Sequence, residues 1–93
     1  MKKKALVIDD DISTLELMKY QLNGENFDVT TADTGQKAIN FVKENEFDVI
    51  LTDYNLPDFN GVEIVSRCKE IHPDTEIIMI TGFSSTEKAI EAT

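Results

Sequence analysis

The stretch Val49-Ile50-Leu51-Thr52-Asp53-Tyr54-Asn55-Leu56-Pro57 constrains the fold more than any other, because an apolar, β-branched run ends in a carboxylate and then breaks at a proline. Such a pattern is that of a buried parallel strand delivering Asp53 to its C-terminal rim. In open α/β sheets that rim is where ligands bind. The N-terminus repeats the construction, with Ala5-Leu6-Val7-Ile8 running into Asp9, Asp10 and Asp11, and Ile77-Ile78-Met79-Ile80 runs into Thr81-Gly82. Three strands so placed release an acid, a run of acids and a hydroxyl at one end of a sheet.

Between these runs the apolar spacing changes to that of helices. Asp11 or Ser13 can cap the first helix, Ser13 and Glu16 having capping-box spacing, and Ile12, Leu15, Met18 and Leu22 give it one apolar face up to Asn23-Gly24. Phe27-Asp28-Val29-Thr30-Thr31 alternates like a strand at a sheet edge. Asp33-Thr34-Gly35 opens a second helix, with Ala38, Ile39 and Val42 inward and an end near Asn45. Asn60 can cap a third helix carrying Ile64, Val65, Cys68 and Ile71, stopped by His72-Pro73. A fourth strand is expected from Glu76 to Ile80, and Ser84 with Glu87 has capping-box spacing for a last helix that includes Ala89 and Ile90.

The order is therefore β-α-β-α-β-α-β-α in one domain over residues 1–93. Right-handed crossovers place helices on both faces of a parallel sheet, so the predicted class is α/β, a doubly wound three-layer α/β/α sandwich. An edge-like second strand beside fully apolar first and third strands favours the strand order 2-1-3-4. That order brings Asp9, Asp10 and Asp53 into one crevice at the switch point.

A formal charge of -9 argues against nucleic-acid binding, since no basic stripe could neutralise phosphates. Lys2, Lys3 and Lys4 precede a strand, and the apolar run behind them is too short for a signal-peptide core or a membrane span. The expected location is cytoplasmic, with no membrane contact. The lone Cys68 fits a buried thiol. His72, with no second ligand at metal spacing, reads as a solvated helix terminus, and Glu25, Glu44, Glu46 and Glu70 as a solvated face.

Two carboxylates about 5 Å apart repel by roughly 3 kcal/mol at an effective dielectric of 20, so a cluster of three needs a cation or a shared proton. An all-oxygen site with room for water and phosphate suits Mg²⁺. Helix capping explains Asp11 by itself, but it does not explain carboxylates leaving two adjacent buried strands at the same end. A carboxylate beside Mg²⁺ can attack phosphorus. Asp53, standing alone at its strand end, is the candidate nucleophile, with Asp9 and Asp10 for the metal and Thr81 as a donor to a phosphoryl oxygen.

These residues resemble the receiver domain of two-component response regulators, a flavodoxin-like fold. The resemblance spans all 93 residues and rests on Val7-Ile8-Asp9-Asp10-Asp11, Thr52-Asp53-Tyr54-Asn55-Leu56-Pro57 with Asn60-Gly61, Pro73-Asp74, and Ile80-Thr81-Gly82. It implies that Asp53 accepts a phosphoryl group from a sensor histidine kinase or phosphotransfer protein. It also implies that Mg²⁺ is bound by Asp10, Asp53 and the backbone carbonyl of Asn55, with Asp9 assisting through water, and that Thr81 moves toward the phosphoryl group as the switch. On this reading the chain is an acceptor that phosphorylates and dephosphorylates itself at most, not an enzyme.

Receivers also have a fifth strand ending in a Lys-Pro pair and a fifth helix, and this chain stops before them, so it is expected to be C-terminally incomplete. Lys2 to Lys4 cannot replace the lysine, since a strand rising about 3.3 Å per residue holds them roughly 15 Å or more from the site. Lys88 is on the correct side. The expectation that follows is self-association through an exposed fourth strand. Two other functions compete: a phosphate-independent interaction module, and a Mg²⁺-dependent phosphohydrolase with Asp53 as nucleophile. The second is disfavoured because Asn55 stands where such enzymes place another acid.

Overall fold

Strand β1 (Lys3–Ile8) buries four consecutive side chains, Ala5, Leu6, Val7 and Ile8, which only a strand covered on both faces can do. In the computed structural model, which describes residues 2–54 and 56–80, it lies between β2 (Phe27–Ala32) and β3 (Val49–Asp53), and β4 (Glu76–Ile80) pairs with β3. Every pairing is parallel and the order is β2-β1-β3-β4, as the patterning predicts. The crossovers are α1 (Ile12–Gly24), α2 (Gly35–Glu44) and α3 (Gly61–Ile71). The helix expected after Ser84, the Thr81-Gly82 pair and Lys88 lie outside the described residues.

Alternation along the strands divides the sheet between two layers. Leu6, Ile8 and Ile50 pack with Ala38, Ile39 and Val42 of α2 and with Ile64 and Cys68 of α3, forming the main core. Each large aliphatic buried there contributes about 2 kcal/mol relative to exposure. The opposite face carries Val7, Leu51 and Ile78 in register, and among the described residues only α1 covers it. Burial falls accordingly along that row, from Val7 at 1% exposed to Ile78 at 45%.

The helix ends follow from local chemistry. Thr34 caps α2, its hydroxyl accepting from the Lys37 amide at 3.2 Å. Asn60 and Glu63 form a full capping box on α3, with Asn60 Oδ1 accepting from the Glu63 amide at 2.9 Å. Such caps are worth about 1 kcal/mol each. The first helix decides between two offered caps and corrects one expectation. Asp11, not Ser13, is its cap, accepting from the Ser13 amide at 3.1 Å and the Thr14 hydroxyl at 2.9 Å, which places Ser13 inside the helix. Ile12 is the first helical residue and is 54% exposed, so the apolar face narrows to Leu15, with Met18 and Leu22 half-buried.

His72 is a second correction. It ends α3 but is half-buried rather than solvated, and its Nε2 lies 2.9 Å from the Val42 carbonyl, tying the end of α3 to α2. Cys68 is fully buried as expected, and burial pushes its thiol up to about 11. At that value the reactive thiolate is scarce near neutrality.

Candidate functional site: an acidic cluster at the sheet's C-terminal rim

In the β1–β3 ladder Ile8 stands opposite Thr52, so Asp9 and Asp53 are the next residues on two neighbouring strands. The Asp9 amide donates to the Ala32 carbonyl at 3.1 Å, and its Oδ1 accepts from the Asp11 amide at 2.9 Å. These bonds turn the chain off the sheet, hold Asp9 buried and send Asp10 outward. Asp53 is half-buried, and its Oδ1 accepts from the Tyr54 amide at 2.8 Å. One carboxylate oxygen each from Asp9, Asp10 and Asp53 falls within 4.8 Å of the others.

Desolvation raises the Asp9 carboxyl above its ordinary value; the Asp11 amide opposes this, while the charges of Asp53 and Asp10 push the same way. The charges of Asp53 and Asp10 thus add to one another at Asp9. Three carboxylates with one well-buried member form an all-oxygen donor set of the kind hard divalent cations prefer. Asp11 is not part of the set, since both its oxygens serve the start of α1.

The segment after Asp53 folds back on itself. The Gly61 amide donates to the Tyr54 carbonyl at 2.6 Å, and the Leu56 amide donates to the Phe59 carbonyl at 3.1 Å. Gly61 lies so close to the rim that a Cβ there would sit 3.1 Å from Tyr54 Cα and 3.2 Å from the Asp53 carbonyl oxygen. Asp58, which no motif singled out, reaches across to α2: its Oδ1 accepts from the Gly35 amide at 2.8 Å and its Oδ2 from the Gln36 amide at 2.9 Å. An Asx residue directly after a loop proline is the only sequence signal for this contact.

Asp9, Asp10 and Asp53 are therefore brought together as expected, whereas Asn55 and Thr81 lie outside the described residues. Lys2 and Lys4 are at the far end of the sheet, beside a cavity of about 560 Å³ shared with Asp48, His72 and Thr75.

The architecture is a flavodoxin-like α/β domain with a carboxylate cluster at its topological switch point. The family model for the response regulator receiver domain matches residues 5–93, and the chain belongs to that family. Accepting a phosphoryl group is the family's general function. The transcriptional regulatory protein ZraR of Escherichia coli K12 is 33% identical over 87 residues, covering 94% of this chain and 20% of that protein. The chain thus spans about a fifth of the length of that curated relative. A CheY-like receiver domain from Methanospirillum hungatei superimposes with a TM-score of 0.86 at 30% identity, covering 97% of this chain and 72% of that one. A Burkholderia pseudomallei response regulator, solved with a phosphorylated aspartic acid, a calcium ion and citrate, has a TM-score of 0.83 at 25% identity, covering 98% and 54%. No helix among the described residues is long and apolar enough to cross a membrane.

Proposed function

We propose that this chain is a phosphoacceptor receiver in which Asp53 takes a phosphoryl group from the phosphohistidine of a sensor histidine kinase or phosphotransfer protein. The observation that carries the reading is the meeting of three carboxylates from two adjacent strand ends within 4.8 Å. A carboxylate oxygen of Asp53 attacks phosphorus, the P–N bond of the donor breaks, and the departing imidazole nitrogen takes up a proton. The Tyr54 amide orients the Asp53 carboxylate before attack. Asp10 and Asp53, with the backbone carbonyl of Asn55, would hold Mg²⁺, and Asp9 would act through water, consistent with one of its oxygens already serving the Asp11 amide. When bound, Mg²⁺ offsets the charge that accumulates as the phosphoryl group arrives. Thr81 would contact a phosphoryl oxygen and carry the switch.

The unit is a single receiver over residues 1–93, acting in the cytoplasm as a self-phosphorylating and self-dephosphorylating acceptor rather than as an enzyme. The Burkholderia response regulator, solved with a phosphorylated aspartic acid and a calcium ion, supports reading this chain as one that takes a phosphoryl group and a divalent cation. Beryllofluoride binding in the presence of Mg²⁺ tests the reading. A receiver binds it stably, a phosphohydrolase turns over phosphate esters, and a phosphate-independent interaction module does neither.

A further inference from the structure

The segment that follows Asp53 is held at both ends and in its middle. At its ends, the Gly61 amide closes on the Tyr54 carbonyl at 2.6 Å, while the Tyr54 amide donates both to Asp53 Oδ1 at 2.8 Å and to the Ile80 carbonyl at 3.2 Å. In the middle, both oxygens of Asp58 are spent on the first two amides of α2, Gly35 and Gln36, which a helix cannot satisfy internally. The contact is specific to that position of α2. A Cβ on Gly35 would stand 2.5 Å from Phe59 Cδ2 and 2.8 Å from Ile64 Cδ1, so the segment packs directly on bare helix backbone. Arg67, stacked at 5.7 Å over the Phe59 ring, holds the same segment from α3.

We infer that Asp58 is a positioning residue for the acidic site: by latching the Leu56–Gly61 segment to the start of α2, it fixes the Gly61–Tyr54 closure and through it the orientation of the Asp53 carboxylate. The path is contiguous, running from α2 amides to Asp58, then Phe59 to Gly61, then Tyr54, then Asp53. Groups that hydrogen-bond a metal ligand without touching the metal are worth tenfold or more in metal affinity; here that group is the Tyr54 amide, which Asp58 holds through the Gly61 closure. The inference rests on the reading of Asp53 as a Mg²⁺-holding phosphoacceptor and adds to it a contact from outside the motif residues. By reciprocity, occupancy of the site should be felt at the Gly35 and Gln36 amides.

The test is Mg²⁺ titration of the 93-residue chain as wild type, Asp58→Ala, Asp58→Asn and Thr75→Val, alongside urea unfolding of each. Thr75→Val removes a buried hydrogen bond to the Phe47 carbonyl at the other end of the sheet, and so controls for loss of stability alone. The expected result is about tenfold weaker Mg²⁺ binding in Asp58→Ala, a smaller loss in Asp58→Asn, and unchanged affinity in Thr75→Val. Wild-type Gly35 and Gln36 amide resonances should shift with Mg²⁺ even if Asp58→Ala does not fold. Wild-type affinity in the folded Asp58 variants, equal weakening in Thr75→Val, or Gly35 and Gln36 resonances indifferent to Mg²⁺ would overturn the latch while leaving the metal site intact. A wild type that binds no Mg²⁺ would overturn the site itself.

Discussion

Asp9 and Asp53 each follow one member of a single ladder pair, Ile8 opposite Thr52, so their carboxylates leave neighbouring buried strands at the same level. Two separate apolar runs thereby become one charged site. With Asp10 beside them the carboxylates gather negative charge at one point of the rim, since the charges of Asp53 and Asp10 both act to raise Asp9.

Mg²⁺ should therefore bind and stabilise the fold, by about 2.7 kcal/mol at a hundred times the dissociation constant. Thermal or urea unfolding with and without Mg²⁺ measures the gain. Asp10→Ala should lose most of it, and equal gain in the variant would remove Asp10 from the metal site.

Asp58 gives a pH dependence of defined sign. Desolvation acts to raise its carboxyl, but the Gln36 and Gly35 amides prevail and hold it below the ordinary carboxylate value. A group depressed in the folded state contributes stability above its unfolded value of about 3.9 and loses it as pH falls through the folded value. Asp58→Asn should therefore be less stable than wild type near neutrality, and the gap should shrink in acid. Urea midpoints at a series of pH values decide this; a gap constant down to strong acid would mean the carboxylate charge is irrelevant to the latch.

Gly35→Ala probes the same junction by overpacking. The new methyl would collide with Phe59 and Ile64, and Ile64 is fully buried in the main core. A cost of about 1–3 kcal/mol is expected, the range for extra volume in packed cores. A neutral substitution would mean that Phe59 swings away freely.

The sheet's far edge bears on assembly. Among the described residues β4 has a strand on one side only, and Ile78 is 45% exposed on the face that α1 leaves uncovered. Regular apolar edges invite pairing with another chain. Sedimentation of the 93-residue chain at micromolar concentration should show self-association, and a stable monomer would mean that other parts of the chain cover this edge.

Much of this was legible in the sequence because it rests on local pattern. Continuous apolar runs mark strands buried on both faces, the alternation from Phe27 marks an edge, and together they give the order β2-β1-β3-β4 and the convergence of Asp9, Asp10 and Asp53. What escaped depends on partners distant in the chain. Asp58 meets amides 22 and 23 residues away, and His72 meets Val42 30 residues away; neither spacing leaves a trace in local periodicity. Of the two caps offered for the first helix, Asp11 serves, since the Asp9–Asp11 bond brings it to the helix start first. Ile12 has the right period for the core face and is nevertheless exposed, as the first residue of α1.

The most direct test of the account is chemical. Incubated with Mg²⁺ and a small phosphodonor such as phosphoramidate, the chain should acquire one phosphoryl group, localised by peptide mass mapping to Asp53 and labile to hydroxylamine as an acyl phosphate. The Asp53→Asn variant should acquire none. Label that survives undiminished in Asp53→Asn, or that maps to Asp9 or Asp10 in the wild type, would contradict the assignment of Asp53 as the phosphoacceptor.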